Sequence, residues 1–110
     1  MELKKKTEND ILIISILGRL TADTADELKH YMEEELGSYQ KVVLDLSQME
    51  YIDSTGLGAI VAGLQLLSDN MGQLKLASLQ SRPRVVFDIT KAYKIFDISE
   101  TVAEAIGRFA

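Results

Sequence analysis

The chain has 110 residues, 46% of them hydrophobic, a formal charge of −5 and no cysteine. That length fits one domain able to bury a core without staples, and the apolar content excludes a disordered chain. The missing cysteines exclude disulfides, thiolate metal sites and a thiol nucleophile and fit a reducing, cytoplasmic setting, while the acidic balance argues against nucleic acid as a partner.

Met1 to Asp10 is charged and has no apolar centre, so no signal peptide is expected there. Leu3 to Thr7 reads as a weak strand, and its Lys4-Lys5-Lys6 run as a solvated chain start. Asn9-Asp10 is a turn signal, which makes a hairpin with the next segment. Ile11 to Leu17 is β-branched and almost wholly apolar, the pattern of a strand covered on both faces, with Gly18 as its end.

Thr24 and Glu27 have the spacing of a capping box, with Asp23 as an alternative cap. Ala25, Leu28, Met32 and Leu36 then form one helical stripe, closed by Gly37. Lys41 to Leu46 is a second buried-type strand. Ser54 to Asn70 reads as a helix with Leu57, Ile60, Val61, Leu64 and Leu67 inward, closed by Met71-Gly72. Its longest apolar run, Gly56 to Leu67, is broken by Gln65 and falls short of the roughly 20 residues a membrane span needs.

Leu74 to Leu79 is a further strand. Ser81 and Pro83 open a short helix whose apolar residues are Val85, Val86 and Ile89. Ile95 to Ile98 is a short strand or extended loop. Ser99 caps a last helix, with Val102, Ala105, Ile106 and Phe109 on one face. No linker, repeat or low-complexity stretch interrupts residues 1–110. Strands alternating with helices imply an α/β fold with a mixed, mostly parallel sheet of four to five strands and about four helices.

Function in such a sheet tends to sit where strand ends meet helix starts. Here a buried strand runs out through Met49, Glu50, Tyr51 and Ile52 into Asp53-Ser54-Thr55-Gly56-Leu57-Gly58. Ser54 is an N-cap candidate. Gly56 and Gly58 each weaken the helix by about 1 kcal/mol relative to alanine and open the backbone to close approach. A phosphate at Ser54 would sit at a helix N-terminus beside the opposing Asp53. The residues alone leave open whether Ser54 is merely a cap and the glycines merely packing devices. Ala59, Ala62, Gly63 and Leu66 form a second apolar side of the helix, either covered by a neighbouring helix or free for docking, including weak self-association.

Other chemistries find little support. Asp53-Ser54-Thr55-Gly56 differs from an aspartic-protease loop by one residue and lacks a second copy. Ser54 as a nucleophile lacks a base, since the sole histidine, His30, lies on a polar helix side. Gly56-x-Gly58 lacks the third glycine of a dinucleotide loop and the lysine of a P-loop. Glu33-Glu34-Glu35 is a solvated face, and no metal or cofactor is implied.

The Asp53-Ser54-Thr55-Gly56-Leu57-Gly58 motif, behind Val42-Val43-Leu44-Asp45-Leu46-Ser47 and with Gly18-Arg19-Leu20 leading into Thr24-Ala25-Asp26-Glu27-Leu28, resembles the STAS domain family of anti-sigma factor antagonists. The resemblance implies a protein-binding module rather than an enzyme, regulating sigma-factor-dependent transcription. It implies an ATP-dependent anti-sigma factor serine kinase, of the histidine-kinase-like ATPase fold, as partner and a serine phosphatase that reverses the modification. The implied phosphoacceptor is Ser54, with Thr55 as runner-up. The implied partner-binding residues are Thr21, Asp23, Asp53, Thr55, Gly56, Gly58, Ala59, Ala62 and Leu66. Neither nucleic-acid binding nor membrane insertion is implied, and a monomer or weak homodimer is expected. Two positions depart from the family pattern. Thr21 stands where many relatives carry an acidic residue, with Asp23 two residues on, and Thr90-Lys91-Ala92 replaces the usual Thr-Gly-Leu. These departures motivate the alternative of a non-phosphorylated adaptor in a signalling or lipid-transport complex.

Overall fold

The computed structural model describes residues 1–109. Among them the elements run β1 (Glu2–Glu8), β2 (Ile11–Leu20), α1 (Ala25–Glu35), β3 (Lys41–Asp45), β4 (Met49–Ile52), α2 (Ser54–Asp69), β5 (Gln73–Ala77), α3 (Ser81–Thr90), β6 (Asp97–Ser99) and α4 (Val102–Gly107). Short 3₁₀ turns follow α1 at Leu36–Ser38 and α3 at Ala92–Lys94. The sheet order is β1-β2-β3-β5-β6, with β4 joined to β2. Only β1 is antiparallel to its neighbour.

The hairpin follows from Asn9 and Asp10, both at positive φ (50° and 67°), the conformation a tight turn between twisted strands demands. β2 is covered on both faces, as its unbroken apolar run suggests. Leu12, Ile14 and Ile16 join the main core beneath α1, α2 and α3, while Ile11 and Ile13 meet Val43, Ala77 and Ala105 beneath α4. Gly18 does not end this strand. β2 pairs with β3 as far as Ser15 and with β4 from Gly18 to Leu20, and Gly18, at φ +90°, stands at a register shift in that second pairing. Met49–Ile52 is thus a separate short strand feeding directly into α2.

Two expectations about helix ends are corrected. Thr24 makes no capping bond to α1; its Oγ1 accepts from the Thr21 N–H (3.0 Å) and donates to the Arg19 carbonyl (3.1 Å), so it braces the loop before the helix. Ser99 does not cap α4, because β6 extends through it. Thr101 caps instead, accepting from the Glu104 N–H at 3.1 Å. On α3 the inward residues are Pro83 and Phe87, with Val86 half-buried, and Val85 and Ile89 face outward. Pro83 and Phe87 are four apart, and Phe87 meets Phe96 edge-on with centroids 6.0 Å apart. That aromatic contact fixes the helix rotation.

The short α4 is held by more than its apolar side. Asp97 accepts from Lys75 Nζ (2.8 Å) and Arg108 Nε (2.9 Å), and Lys75 lies over the Phe109 ring at 5.1 Å. The two cations hold the Asp97 carboxyl below its usual range, Arg108 first.

The departure at Lys91 has a structural consequence. It ends α3 at φ +60°, ψ +25°, the left-handed conformation that glycine adopts without strain. Lys91→Gly should raise unfolding stability by up to about 1 kcal/mol, the relieved strain being partly offset by greater unfolded-chain entropy and by loss of a cation at a helix C-terminus. Urea denaturation should show a higher midpoint at unchanged slope. An unchanged or lower midpoint would contradict the strain.

Candidate functional site

The site forms where β2, β4 and α2 converge. Leu20 and Ile52 are paired neighbours at the strand ends, and the Asp53 N–H donates to the Leu20 carbonyl at 3.2 Å. Asp53 is extended (φ −111°, ψ −179°), and its carboxylate bridges two segments. Oδ1 accepts from the Gly56 N–H at 2.8 Å, and Oδ2 accepts from the Ala22 N–H at 3.0 Å. One side chain thus caps α2 and anchors the β2–α1 loop. The Gly56 bond chiefly, with the Ala22 bond, holds its carboxyl below the usual range against the opposing effect of partial burial.

The expectation that Ser54 is the N-cap is therefore corrected. Asp53 fills that position because its carboxylate reaches both donors, and Ser54 becomes the first helical residue, exposed beside exposed Thr55. The β2–α1 loop sits alongside through the Ala22 bond, bringing half-buried Thr21 and exposed Asp23 to this end of the sheet. The Thr21 hydroxyl accepts from the Asp23 N–H at 3.4 Å, so the loop is braced from within.

The two glycines separate sharply. A Cβ on Gly56 would lie 2.3 Å from the Leu20 carbonyl oxygen, so this buried glycine exists for close packing of α2 on β2. A Cβ on Gly58 would meet nothing within 4 Å, and the residue is exposed. Nothing within the fold requires a glycine there.

The second apolar side of α2 is mostly covered. Ala59 is 0% exposed and belongs to the core, which corrects its expected place on the docking face. Gly63 is buried against α1, where a Cβ would stand 2.6 Å from Met32 Sδ. The α1–α2 packing that covers these residues leaves Ala62 and Leu66 half-buried. With Lys29, Met32, Glu33 and Gly63 they line a shallow cavity of about 130 Å³.

Sequence reasoning missed a cation cluster beside this site. The Arg19 guanidinium lies 4.5 Å from the Tyr51 ring centroid and that of Arg82 lies 5.9 Å from the same ring. Arg19 precedes the Leu20 anchor and Tyr51 lies in the strand leading to Asp53, but Arg82 comes from α3, and no local spacing announces that meeting. Among the described residues no group of three or more His, Cys, Asp or Glu is placed to hold a metal ion, and no helix is long and apolar enough to cross a membrane.

Comparison with known proteins fits this architecture. The family model for the STAS domain matches residues 2–105, and the chain belongs to that family. Within it, the "Anti-sigma-B factor antagonist" of Bacillus subtilis is 34% identical over 95 residues, 86% of each chain. The protein of the same name from Listeria monocytogenes is 31% identical over 107 residues, covering 96% of this chain and 94% of that one. Among solved structures, a Thermotoga maritima protein described as a candidate anti-sigma factor antagonist superposes with a TM-score of 0.88 at 30% identity, covering 96% of this chain and 92% of that one. SpoIIAA in its phosphorylated form shares the fold (TM-score 0.74, 17% identity, 97% of this chain and 98% of that one).

Removing the Asp53 carboxylate should cost about 1–2 kcal/mol of stability, the usual range for a lost helix cap. Because the Asp53 pKa is lowered on folding, its contribution is fully present above the unfolded value near pH 4 and is lost as pH falls through the folded value. Denaturation of wild type and Asp53→Ala should therefore differ most at neutral pH and converge toward strong acid. A constant gap across that range would exclude the charged cap as the cause.

Proposed function

We propose that this chain is an anti-sigma factor antagonist whose binding to an anti-sigma factor serine kinase is switched off by phosphorylation of Ser54. The observation that carries the reading is an exposed Ser54, set just after a cap that Asp53 completes. The antagonist names of relatives at 31–34% identity support it. So does the existence of a phosphorylated form of SpoIIAA, which has this fold.

In the proposed cycle the unmodified protein holds the kinase and frees a sigma factor. The kinase transfers the γ-phosphoryl of ATP to Ser54 Oγ; the hydroxyl proton is lost and ADP departs. A serine phosphatase hydrolyses the ester and restores the hydroxyl. Thr55 is the second candidate acceptor, one residue on and also exposed. The contact surface comprises Thr21, Asp23, Thr55 and Gly58, continued by half-buried Ala62 and Leu66. Asp53 and Gly56 act by shaping the helix start. Enclosing a phosphate of about −1.5 to −2 charge in a close-packed interface costs several kcal/mol unless it is paired. Since about 1.4 kcal/mol is a factor of ten, one phosphate suffices to end binding. Gly58 supports docking independently, because the fold gives no reason to tolerate the helix weakening it causes.

Incubation with ATP and candidate anti-sigma factor kinases should add one phosphate, mapped by mass spectrometry to Ser54. Ser54→Ala should bind the kinase with wild-type affinity and stay bound in the presence of ATP. The switch fails if no candidate kinase modifies Ser54 or Thr55 and Ser54→Ala cells behave normally, which is the outcome expected of a non-phosphorylated adaptor.

Gly58→Ala separates folding from docking. It should raise unfolding stability by about 1 kcal/mol through helix propensity while weakening kinase binding about tenfold or more through the added methyl group. Unchanged affinity would remove Gly58 from the interface. Gly56→Ala should instead destabilise the free protein, by about 1–3 kcal/mol or more.

A further inference from the structure

Five large hydrophobic residues are exposed among those described, and four of them fall in one stretch: Val85 (51%), Ile89 (76%), Tyr93 (47%) and Ile95 (54%). Val85 and Ile89 are four apart on α3 and share its outer face, and α3 packs on the turn carrying Tyr93. Val85 and Ile89 are apolar, yet Pro83 and Phe87 are the residues that α3 sends into the core. The apolar side chains left outside need a different explanation.

Their electrostatic setting is unlike the rest of the molecule. Residues 81–96 hold four of the twelve basic residues and one of the seventeen acidic ones, a local charge of +3 against −8 elsewhere. Arg82 stands three positions before Val85 and seven before Ile89, on the same helical stripe, with its guanidinium over the Tyr51 ring. Lys91 and Lys94, both exposed, supply charge at the other end. The result is an apolar strip with cations at both ends, on a protein that is otherwise acidic.

We propose that this outer surface of α3 and the following turn is a second docking site, which takes an acidic amphipathic helix of a protein partner. Leucine-like side chains on that helix would cover Val85 and Ile89, while flanking carboxylates meet Arg82, Lys91 and Lys94. Helix-in-groove and helix-on-face recognition uses this pairing of apolar anchors with charged edges. The occupant is not an identical surface on a second copy, because two cationic strips face to face repel. An anionic bilayer fits less well than a single helix, because it extends past the strip and meets the surrounding acidic surface, whereas one helix covers the strip alone. The apolar anchors Val85 and Ile89 belong to α3 rather than to the Ser54 site, and Arg82, over the Tyr51 ring, is where the two surfaces adjoin.

The test uses the full, ¹⁵N-labelled chain and a synthetic amphipathic peptide of about 18 residues, long enough to populate a helix, with leucines at helical spacing flanked by glutamates. Its twin carries lysines in place of the glutamates. The acidic peptide should produce saturable amide shifts centred on Val85 to Ile95 that weaken with added salt, and the lysine twin should produce none. Ile89→Ser combined with Lys91→Glu and Lys94→Glu should lower the affinity about tenfold or more, as expected when a central anchor is lost. All three positions are exposed, and unchanged amide positions outside residues 81–96 for this variant would show that its fold is intact. Ser54→Ala should bind the peptide like wild type, which keeps this result separate from the kinase switch. Absent shifts, shifts centred elsewhere, or equal binding of the two peptides would overturn the proposal. So would binding to phosphatidylglycerol vesicles in preference to the peptide, or concentration-dependent self-association abolished by the triple substitution.

Discussion

The approach of the α2 backbone to the end of β2 controls the geometry of everything nearby. At that point Gly56 passes so close to the Leu20 carbonyl that no side chain fits, and the same carbonyl accepts the Asp53 N–H. One carbonyl group thus meets both the residue before the helix and the glycine of its first turn. With the start fixed, the Asp53 carboxylate can reach the Gly56 and Ala22 donors together. The helix N-terminus and the adjoining loop become one rigid unit, and Ser54 is the first residue beyond its cap.

That arrangement separates modification from folding. Had Ser54 been the cap, a phosphate on its oxygen would have altered a hydrogen bond on which α2 depends. Asp53 fills that role, so an added group at Ser54 leaves the cap in place. The helix N-terminus favours a nearby anion by about 0.3–1 kcal/mol, and the Asp53 charge opposes it. These two effects partly cancel inside the free protein. In a docked interface, where water is excluded, no such cancellation is guaranteed unless the partner supplies cations. The proposed modification would therefore be expressed mainly in affinity, which is what a reversible switch between partners requires.

Much of this was legible in the sequence, and the failures have identifiable physical causes. The hairpin at Asn9-Asp10, the doubly covered β2 and the limits of α2 follow from local chemistry and periodicity. The cap positions do not. Thr24, Ser54 and Ser99 all have suitable side chains, yet loop geometry gives Thr24 to the loop, β4 places Asp53 ahead of Ser54, and β6 consumes Ser99. A cap is chosen by where the preceding strand releases the chain, and short strands are poorly marked in sequence. The inward face of α3 is likewise not marked by its aliphatic residues. Val85, Val86 and Ile89 satisfy helical spacing, but Phe87 meets an aromatic partner nine residues away, Phe96, and its larger buried surface decides the rotation.

The pair Gly56 and Gly58 shows how fold and function can be told apart at a single site. Both lie in the first turns of one helix, and in sequence their costs and freedoms look alike. Structure assigns Gly56 to folding, because a neighbouring carbonyl occupies the space of its missing side chain. It assigns nothing to Gly58, whose missing side chain would point into open solvent. A protein that gives up about 1 kcal/mol of helix propensity without an internal return is violating a local rule, and such violations concentrate at functional positions. The same reasoning applies to Val85 and Ile89, which leave apolar surface exposed where a polar residue would fit without cost to the core. In each case the fold gives no internal reason for the residue, which is why both docking proposals are placed there.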